Sequence, residues 1–271
     1  MKLSFCSLSS GSSGNCYLVR TENTALLVDA GISGKKVLTG LAALGIKEEE
    51  LKGILVTHEH VDHIKSVQVL AKKLAEANIF ASGGTWQALC RKTEAERQVT
   101  IAAGMKFAVG DIEVRPFALS HDAEEPLGYS FEAGGRRISI VTDTGCITEE
   151  IHEAIKESDL LVIEANHDIQ MLQFGRYPYH VKRRILGDTG HLSNETAAAE
   201  ICRICGESGG YKEVLLAHLS KENNFPEMAY QTVKNLLEER NLYIGKHLNL
   251  HIITREKLSP VFTLEEKKAK D

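Results

Sequence analysis

The sequence predicts an α/β fold in which two sheets pack inside and helices cover them outside, and three observations carry that prediction. Short apolar runs of strand length alternate with longer segments of helical periodicity. Each half of the chain opens β-rich and then alternates helix and strand. Histidine and carboxylate side chains recur where the apolar runs end, so one edge of the assembly collects polar groups. With no short-period repeat and no linker, residues 1–271 are expected to form one domain of two related halves.

The first half begins with a strand from Leu3 to Leu8, followed by Ser9-Ser10-Gly11-Ser12-Ser13-Gly14-Asn15. These small residues allow unusual backbone angles and close approach to a ligand. Cys16 to Arg20 returns as a strand, and Ala25 to Val28 is a third that ends at Asp29-Ala30-Gly31. A carboxylate there can orient a metal-binding histidine from behind. Ser33 caps a helix that reaches Leu44 and stops at Gly45. Gly53 to Val56 is a buried strand, and Ile64 to Ala77 the helix that follows it. Asn78 to Ala81 is a short strand and Thr85 to Arg91 a helix.

In the second half, Met105 to Val109 turns at Gly110-Asp111 into a strand from Ile112 to Leu119, which delivers Ser120-His121-Asp122. Gly128 to Glu132 and Arg137 to Val141 flank a second hairpin at Ala133-Gly134-Gly135-Arg136 and lead to Thr142-Asp143. A helix from Thr148 to Lys156, a strand from Leu160 to Glu164 and a short helix from Asn166 to Phe174 follow. Ser193 or Asn194 caps a helix from Glu195 to Cys205, placing His191 just outside its start. Glu213 to Ala217 is a strand that ends at His218, Pro226 to Glu239 the last long helix, and His247 to Thr254 a closing strand. Glu265 to Asp271 reads as a charged, frayed tail.

Between the strand at Gly53 and the helix at Ile64 stands Thr57-His58-Glu59-His60-Val61-Asp62-His63-Ile64. Imidazole and carboxylate together suit zinc, manganese or iron. His58 and His60 share one face of an extended chain, whereas Asp62 and His63 need a turn or helix start to converge on it. The alternative is a polar helix N-terminus capped by Asp62. Three histidines and an aspartate within six positions favour a metal site.

Composition sets limits on partners. The formal net charge of −5 gives no global bias toward a polyanion, so any such site must be local. No basic leader opens the chain, and no apolar run approaches the ~20 residues that cross a bilayer, so a cytoplasmic location without membrane attachment is expected. Six scattered cysteines at 6, 16, 90, 146, 202 and 205 are expected as thiols, with Cys202 and Cys205 packing within a helix. Oligomeric state has no sequence signal.

The H-x-H-x-D-H box resembles the signature of the metallo-β-lactamase superfamily, and the order of Asp29, the box, His121, Asp143 and His218 resembles that superfamily across most of the chain. The resemblance implies a four-layered αββα sandwich. It implies that His58, His60 and His121 hold one divalent metal, that Asp62, His63 and His218 hold a second, that Asp143 bridges them and that Asp29 supports a ligand from behind. Two such cations ~3.5–4 Å apart can share a bridging hydroxide and clamp phosphodiester oxygens, with Asp62 aligning the water or taking its proton.

Further motifs direct that chemistry toward phosphodiesters. Leu161-Val162-Ile163-Glu164-Ala165-Asn166 and Gly190-His191-Leu192-Ser193 resemble the H-E-A-T and G-H-S-T motifs of tRNA 3′-processing endonucleases, with Ile163 where those enzymes carry histidine. By that resemblance Glu164 and His191 protonate the leaving oxygen. The whole pattern, with Ser-Gly-Ser-Ser-Gly-Asn near the start, is most similar to the single-domain YycJ/WalJ-type bacterial hydrolases. That group implies 5′-to-3′ exonuclease activity on DNA. Arg176, Lys182, Arg183 and Arg184 can neutralise phosphates while Tyr177 and Tyr179 offer stacking faces, a basic helix surface being the alternative. His167 and His180 read either as phosphate contacts or as surface histidines. A rival function is hydrolysis of a small cyclic phosphodiester or thioester at the same two metals.

Overall fold

The computed structural model describes residues 1–89, 97–208, 210, 212–255 and 257–267. Its strands are β1 (Leu3–Ser9), β2 (Cys16–Arg20), β3 (Ala25–Val28), β4 (Leu51–Leu55), β5 (Asn78–Ser82), β6 (Gln98–Ile101), β7 (Phe107–Val109), β8 (Ile112–Ala118), β9 (Leu127–Ala133), β10 (Arg136–Val141), β11 (Leu160–Glu164), β12 (Lys212–Ala217), β13 (Leu248–Ile252) and β14 (Phe262–Leu264). The helices are α1 (Gly34–Ala43), α2 (Val61–Ile64), α3 (Val67–Lys73), α4 (Gly83–Ala88), α5 (Glu149–Ile155), α6 (Ile169–Phe174), α7 (Tyr179–Ile185), α8 (Asn194–Ser208) and α9 (Pro226–Glu239).

The strands form two seven-stranded sheets, ordered β14-β1-β2-β3-β4-β5-β6 and β13-β12-β11-β10-β9-β8-β7. Each changes from antiparallel to parallel pairing partway across, at β3/β4 in one and at β10/β11 in the other. Three apolar clusters define the layers. Phe5, Val19, Val28, Tyr129, Phe131 and Ile140 fill the space between the sheets. Val37, Leu41, Leu70 and Trp86 of α1, α3 and α4 cover one outer face, and Ile151, Ala198, Ile201 and Val233 of α5, α8 and α9 cover the other. This is the expected αββα sandwich, and the two sheets share one pattern of pairing.

Most expected elements form, and the exceptions have local causes. The helix expected from Ile64 to Ala77 is split, because the Ser66 backbone N–H and hydroxyl both donate to the Ala30 carbonyl at 2.9 Å. α2 therefore starts at Val61 and holds Asp62 and His63 in its single turn. The helix expected from Thr85 starts earlier, at Gly83, with Ser82 accepting from the Thr85 N–H, and its expected last residues, 90 and 91, lie outside the described residues. β6 and β14 were not expected: their alternation of apolar and polar residues runs for only four and three positions, and each is an edge strand with one partner. The expected tail is anchored where it is described: the terminal amine of Met1 donates to Glu266 at 2.6 Å and the Lys267 N–H to the Gly134 carbonyl at 3.1 Å. Residues 268–271 of that tail, and Cys90, lie outside the described residues. Cys202 and Cys205 pack in the α8 core, and Cys6, Cys16, Cys146, Cys202 and Cys205 are free thiols.

Candidate metal centre

The polar groups converge because the strands deliver them from one edge. Asp29 follows β3, the His58 box follows β4, Asp143 follows β10, Glu164 ends β11 and His218 follows β12. Among the described residues four non-glycine residues have positive φ, and three of them are Asp29 (61°), Asp143 (61°) and His218 (53°). Each such conformation costs on the order of 1 kcal/mol, so the surrounding structure holds these side chains where an unstrained strand end would not. Gly31 has its own reason: a Cβ there would lie 1.6 Å from the carbonyl oxygen of Asp62. That close approach seats the Asp29–Gly31 loop directly against α2.

The ligand atoms of His58, His60 and His121 lie within 4.8 Å of one another, as do those of Asp62, His63 and His218. Asp143 forms such groups with His58 and His63, and separately with Glu164, His191 and His218. His58, His60, Asp62, His63, His121, Asp143, Glu164, His191 and His218 are therefore in one cluster, with Asp29 behind His63. His58, His63, His121, Asp143, Glu164 and His218 are buried, while Asp62 is 30% exposed and His191 21% exposed at the mouth.

Hydrogen bonds fix which ring atoms face inward. Asp29 Oδ2 accepts from His63 Nδ1 at 2.7 Å, and its Oδ1 from the Thr57 N–H at 2.8 Å, so His63 Nε2 is turned to the centre, 3.3 Å from Asp143 Oδ2. Thr57 Oγ1 lies 3.0 Å from His58 Nδ1, and His121 Nδ1 donates to the Gly190 carbonyl at 3.1 Å. Glu164 Oε1 accepts from His218 Nδ1 at 2.7 Å and His191 Nδ1 at 2.8 Å, and Oε2 accepts from the N–H groups of Thr144 and Leu192. Gly190 permits this, since a Cβ there would meet the Ile185 carbonyl oxygen at 2.2 Å.

Burial opposes a charge on His63 and His191, but neighbouring carboxylates outweigh it. Asp29 and Asp143 raise His63 to about 10, and Glu164 and Asp143 raise His191 to about 9. His58 and His121 are lowered, chiefly by burial. Burial works to raise Asp143 and Glu164, yet the facing histidines hold both below the ordinary carboxylate range. The centre thus carries buried anions balanced by protons on imidazoles. His218 Nε2 is buried with no hydrogen-bond partner, and buried Asp143 Oδ2 has none beyond its ion pair with His63 Nε2. Leaving a buried atom such as His218 Nε2 unpaired costs roughly 1–3 kcal/mol, and imidazole nitrogen with carboxylate oxygen is a donor set for divalent transition metals. The residues fit a cation pair.

The site opens into a cavity of about 320 Å³ lined in part by Asp62, Asp143, His191, Tyr177 and Arg184. The basic stretch is only partly at this mouth. Arg184 ion-pairs Asp122, which also lines the cavity, and Tyr177 forms part of the wall. Lys182 is engaged elsewhere, its Nζ donating to the carbonyls of Gln173 and Gly175 at 2.8 and 2.7 Å. Arg176, Tyr179 and Arg183 are exposed beyond the cavity wall, with the Arg183 guanidinium 6.0 Å from the Tyr179 ring centroid. His180 is exposed, but His167 is 1% exposed, which corrects its reading as a surface or phosphate-contacting histidine. Burial lowers it to about 4.

Three participants were not singled out from sequence: Asn15, whose Nδ2 lies 3.0 Å from His63 Nε2, Thr57, and Asp122. Thr57 and Asp122 adjoin predicted ligands, which was the available signal. Asn15 is 48 positions from His63, and only the fold joins them.

Residues 24–219 match the β-lactamase superfamily domain. The chain is 40% identical over 254 residues to exodeoxyribonuclease YycJ of Bacillus anthracis, covering 93% of this chain and 95% of that protein. It is 39% identical over 259 residues to exodeoxyribonuclease WalJ of Streptococcus pneumoniae, covering 94% and 95%. Among solved structures it resembles the metallo-β-lactamase fold protein YhfI from Bacillus subtilis, with a TM-score of 0.70 at 16% identity over 95% of this chain and 99% of the other.

Proposed function

The chain belongs to the β-lactamase superfamily and is a metal-dependent hydrolase, and from this premise we propose that it is a nucleic-acid phosphodiesterase acting as a 5′-to-3′ exonuclease on DNA. The observation that carries the reading is the Glu164–His191 pair, a charged imidazole 2.8 Å from a buried carboxylate, 3.5 Å from Asp143 Oδ1 and open to the cavity. The names of the two bacterial relatives support the substrate.

His58, His60 and His121 would hold one divalent cation, and Asp62, His63 and His218 a second, with Asp143 shared. The cations are zinc or manganese, with iron a third candidate. When bound, such a pair supplies Lewis acidity toward water and phosphoryl oxygens. Asp62, at the rim, orients the attacking water and takes its proton. Water adds at phosphorus, the bond to the leaving oxygen breaks, and His191 donates its proton to that oxygen. Glu164 keeps His191 protonated and fixes its tilt, and Asp29 does the same for the orientation of His63. Arg184 and Tyr177 border the strand at the mouth, while Arg176, Tyr179 and Arg183 form an outer basic and aromatic shelf and Lys182, held by the Gln173 and Gly175 carbonyls, stays out of it. We place the protein in the cytoplasm; among the described residues no helix is long and apolar enough to cross a membrane.

The test is cleavage of end-labelled single strands by the metal-supplemented protein alongside small phosphodiesters and thioesters. Progressive loss of nucleotides from the 5′ end is expected. Rapid hydrolysis of small esters with no cleavage of any strand would contradict the reading and favour a small-molecule hydrolase.

A further inference from the structure

Beyond the serine-glycine loop that walls the centre lies a second cavity, of about 780 Å³. Lys35 and Lys36 of α1 and Arg255 beyond β13 line it, with Leu8 and Ile32 as an apolar wall. Among the described residues no carboxylate lines it, in contrast to the metal-centre cavity with Asp62, Asp122 and Asp143. Lys35 and Lys36 are exposed and are in no ion pair among the described residues. In a chain of net charge −5 this is a local concentration of positive charge beside apolar surface.

The two cavities share one thin wall. Ser12 lines the first and Ser13 the second, and consecutive Cα atoms are about 3.8 Å apart. That wall is tied to both sides. Ser10 Oγ accepts from the His218 N–H at 2.9 Å, while Ser9 Oγ donates to the Arg255 carbonyl at 2.9 Å. Gly14 lets the loop close onto the second cavity, since at its φ of +146° a Cβ would lie 2.7 Å from Ile32 Cγ2.

We propose that this cleft is a second substrate subsite, holding the phosphates of nucleotides beyond the scissile bond as a single strand crosses the Ser12–Ser13 rim. Lys35 and Lys36 neutralise backbone phosphates, and Leu8 and Ile32 pack against a sugar or base face. The inference rests on the phosphodiesterase reading.

The experiment is fluorescence anisotropy of a labelled single strand of roughly 12 nucleotides with the metal-free protein, comparing wild type with K35Q/K36Q. The double substitution is expected to weaken binding about tenfold and to reduce the salt slope by about 1.4, two contacts at ~0.7 each for single strands. K35R/K36R is expected to restore both. Hydrolysis of bis(4-nitrophenyl) phosphate by the metal-loaded K35Q/K36Q protein is expected at the wild-type rate, because that ester cannot reach the cleft. Unchanged strand affinity and slope in K35Q/K36Q, or an equal loss on the small ester, would overturn the subsite alone. A wild-type protein that binds no strand would overturn the subsite together with the phosphodiesterase reading.

Discussion

Four donors converge on Glu164, from His191, His218, Thr144 and Leu192, at a position with 0% exposure. A carboxylate so placed keeps a neighbouring imidazole charged, and this is why His191 is the side chain on which proton donation depends. His191→Ala is expected to lower kcat by roughly 10²–10⁴-fold with little change in KM, since positioned proton transfer contributes on that scale. Asp62→Ala is expected to remove turnover with the fold retained, because Asp62 lies at a rim. Steady-state kinetics with circular dichroism check both, and a wild-type kcat for His191→Ala would refute its role. At this scale the sequence was legible wherever ligands were clustered or followed an apolar run. Asn15 was not, because its importance lies in a distance to His63 that the chain creates only by folding.

At the scale of elements, the strand ends do more than deliver side chains. Asp29 and Asp143 follow corresponding strands of the two sheets with the same φ of 61°, so one strained turn is used twice. Apolar runs announced these strands, but nothing local announced the strain, since aspartate after a strand is also a common turn residue. The split between α2 and α3 was equally hidden: it depends on Ser66 meeting Ala30 across the fold. A helix pairing also escaped notice. Fully buried His152 of α5 bridges Glu200 and Glu207 of α8, at 2.7 and 2.8 Å. Burial alone would lower its pKa, and the hydrogen bonds to the two carboxylates outweigh that, so it is raised. A raised folded pKa means stabilisation fully present below the unfolded value of about 6.5 and lost as pH rises through the folded one. The melting temperature difference between wild type and His152→Gln is therefore expected to shrink as pH climbs from about 6.5. A difference that stays constant or grows over that range would contradict this.

For the molecule as a whole, the sandwich was readable because periodicity and order in each half demanded sheets inside and helices outside. Of the four edge strands among the described residues, β7 was readable beside its Gly110-Asp111 turn and β13 from its alternating Leu248-Asn249-Leu250-His251-Ile252, whereas β6 and β14 are only four and three residues long and mostly unburied. Assembly of the site needs both sheets: the box and Asp29 come from one, and His121, Asp143, Glu164, His191 and His218 from the other. Cation binding should therefore fasten the two together, and because His63 is raised to about 10 it must release a proton when it takes a cation. Metal affinity is accordingly expected to increase with pH from neutrality upward, measured by isothermal titration in buffers of different ionisation enthalpy.

The claim on which everything else depends is that these side chains hold a pair of cations. Elemental analysis of protein loaded with zinc or manganese and then desalted tests it most directly. About two metal equivalents per chain are expected, whereas one equivalent or none would contradict a dinuclear centre.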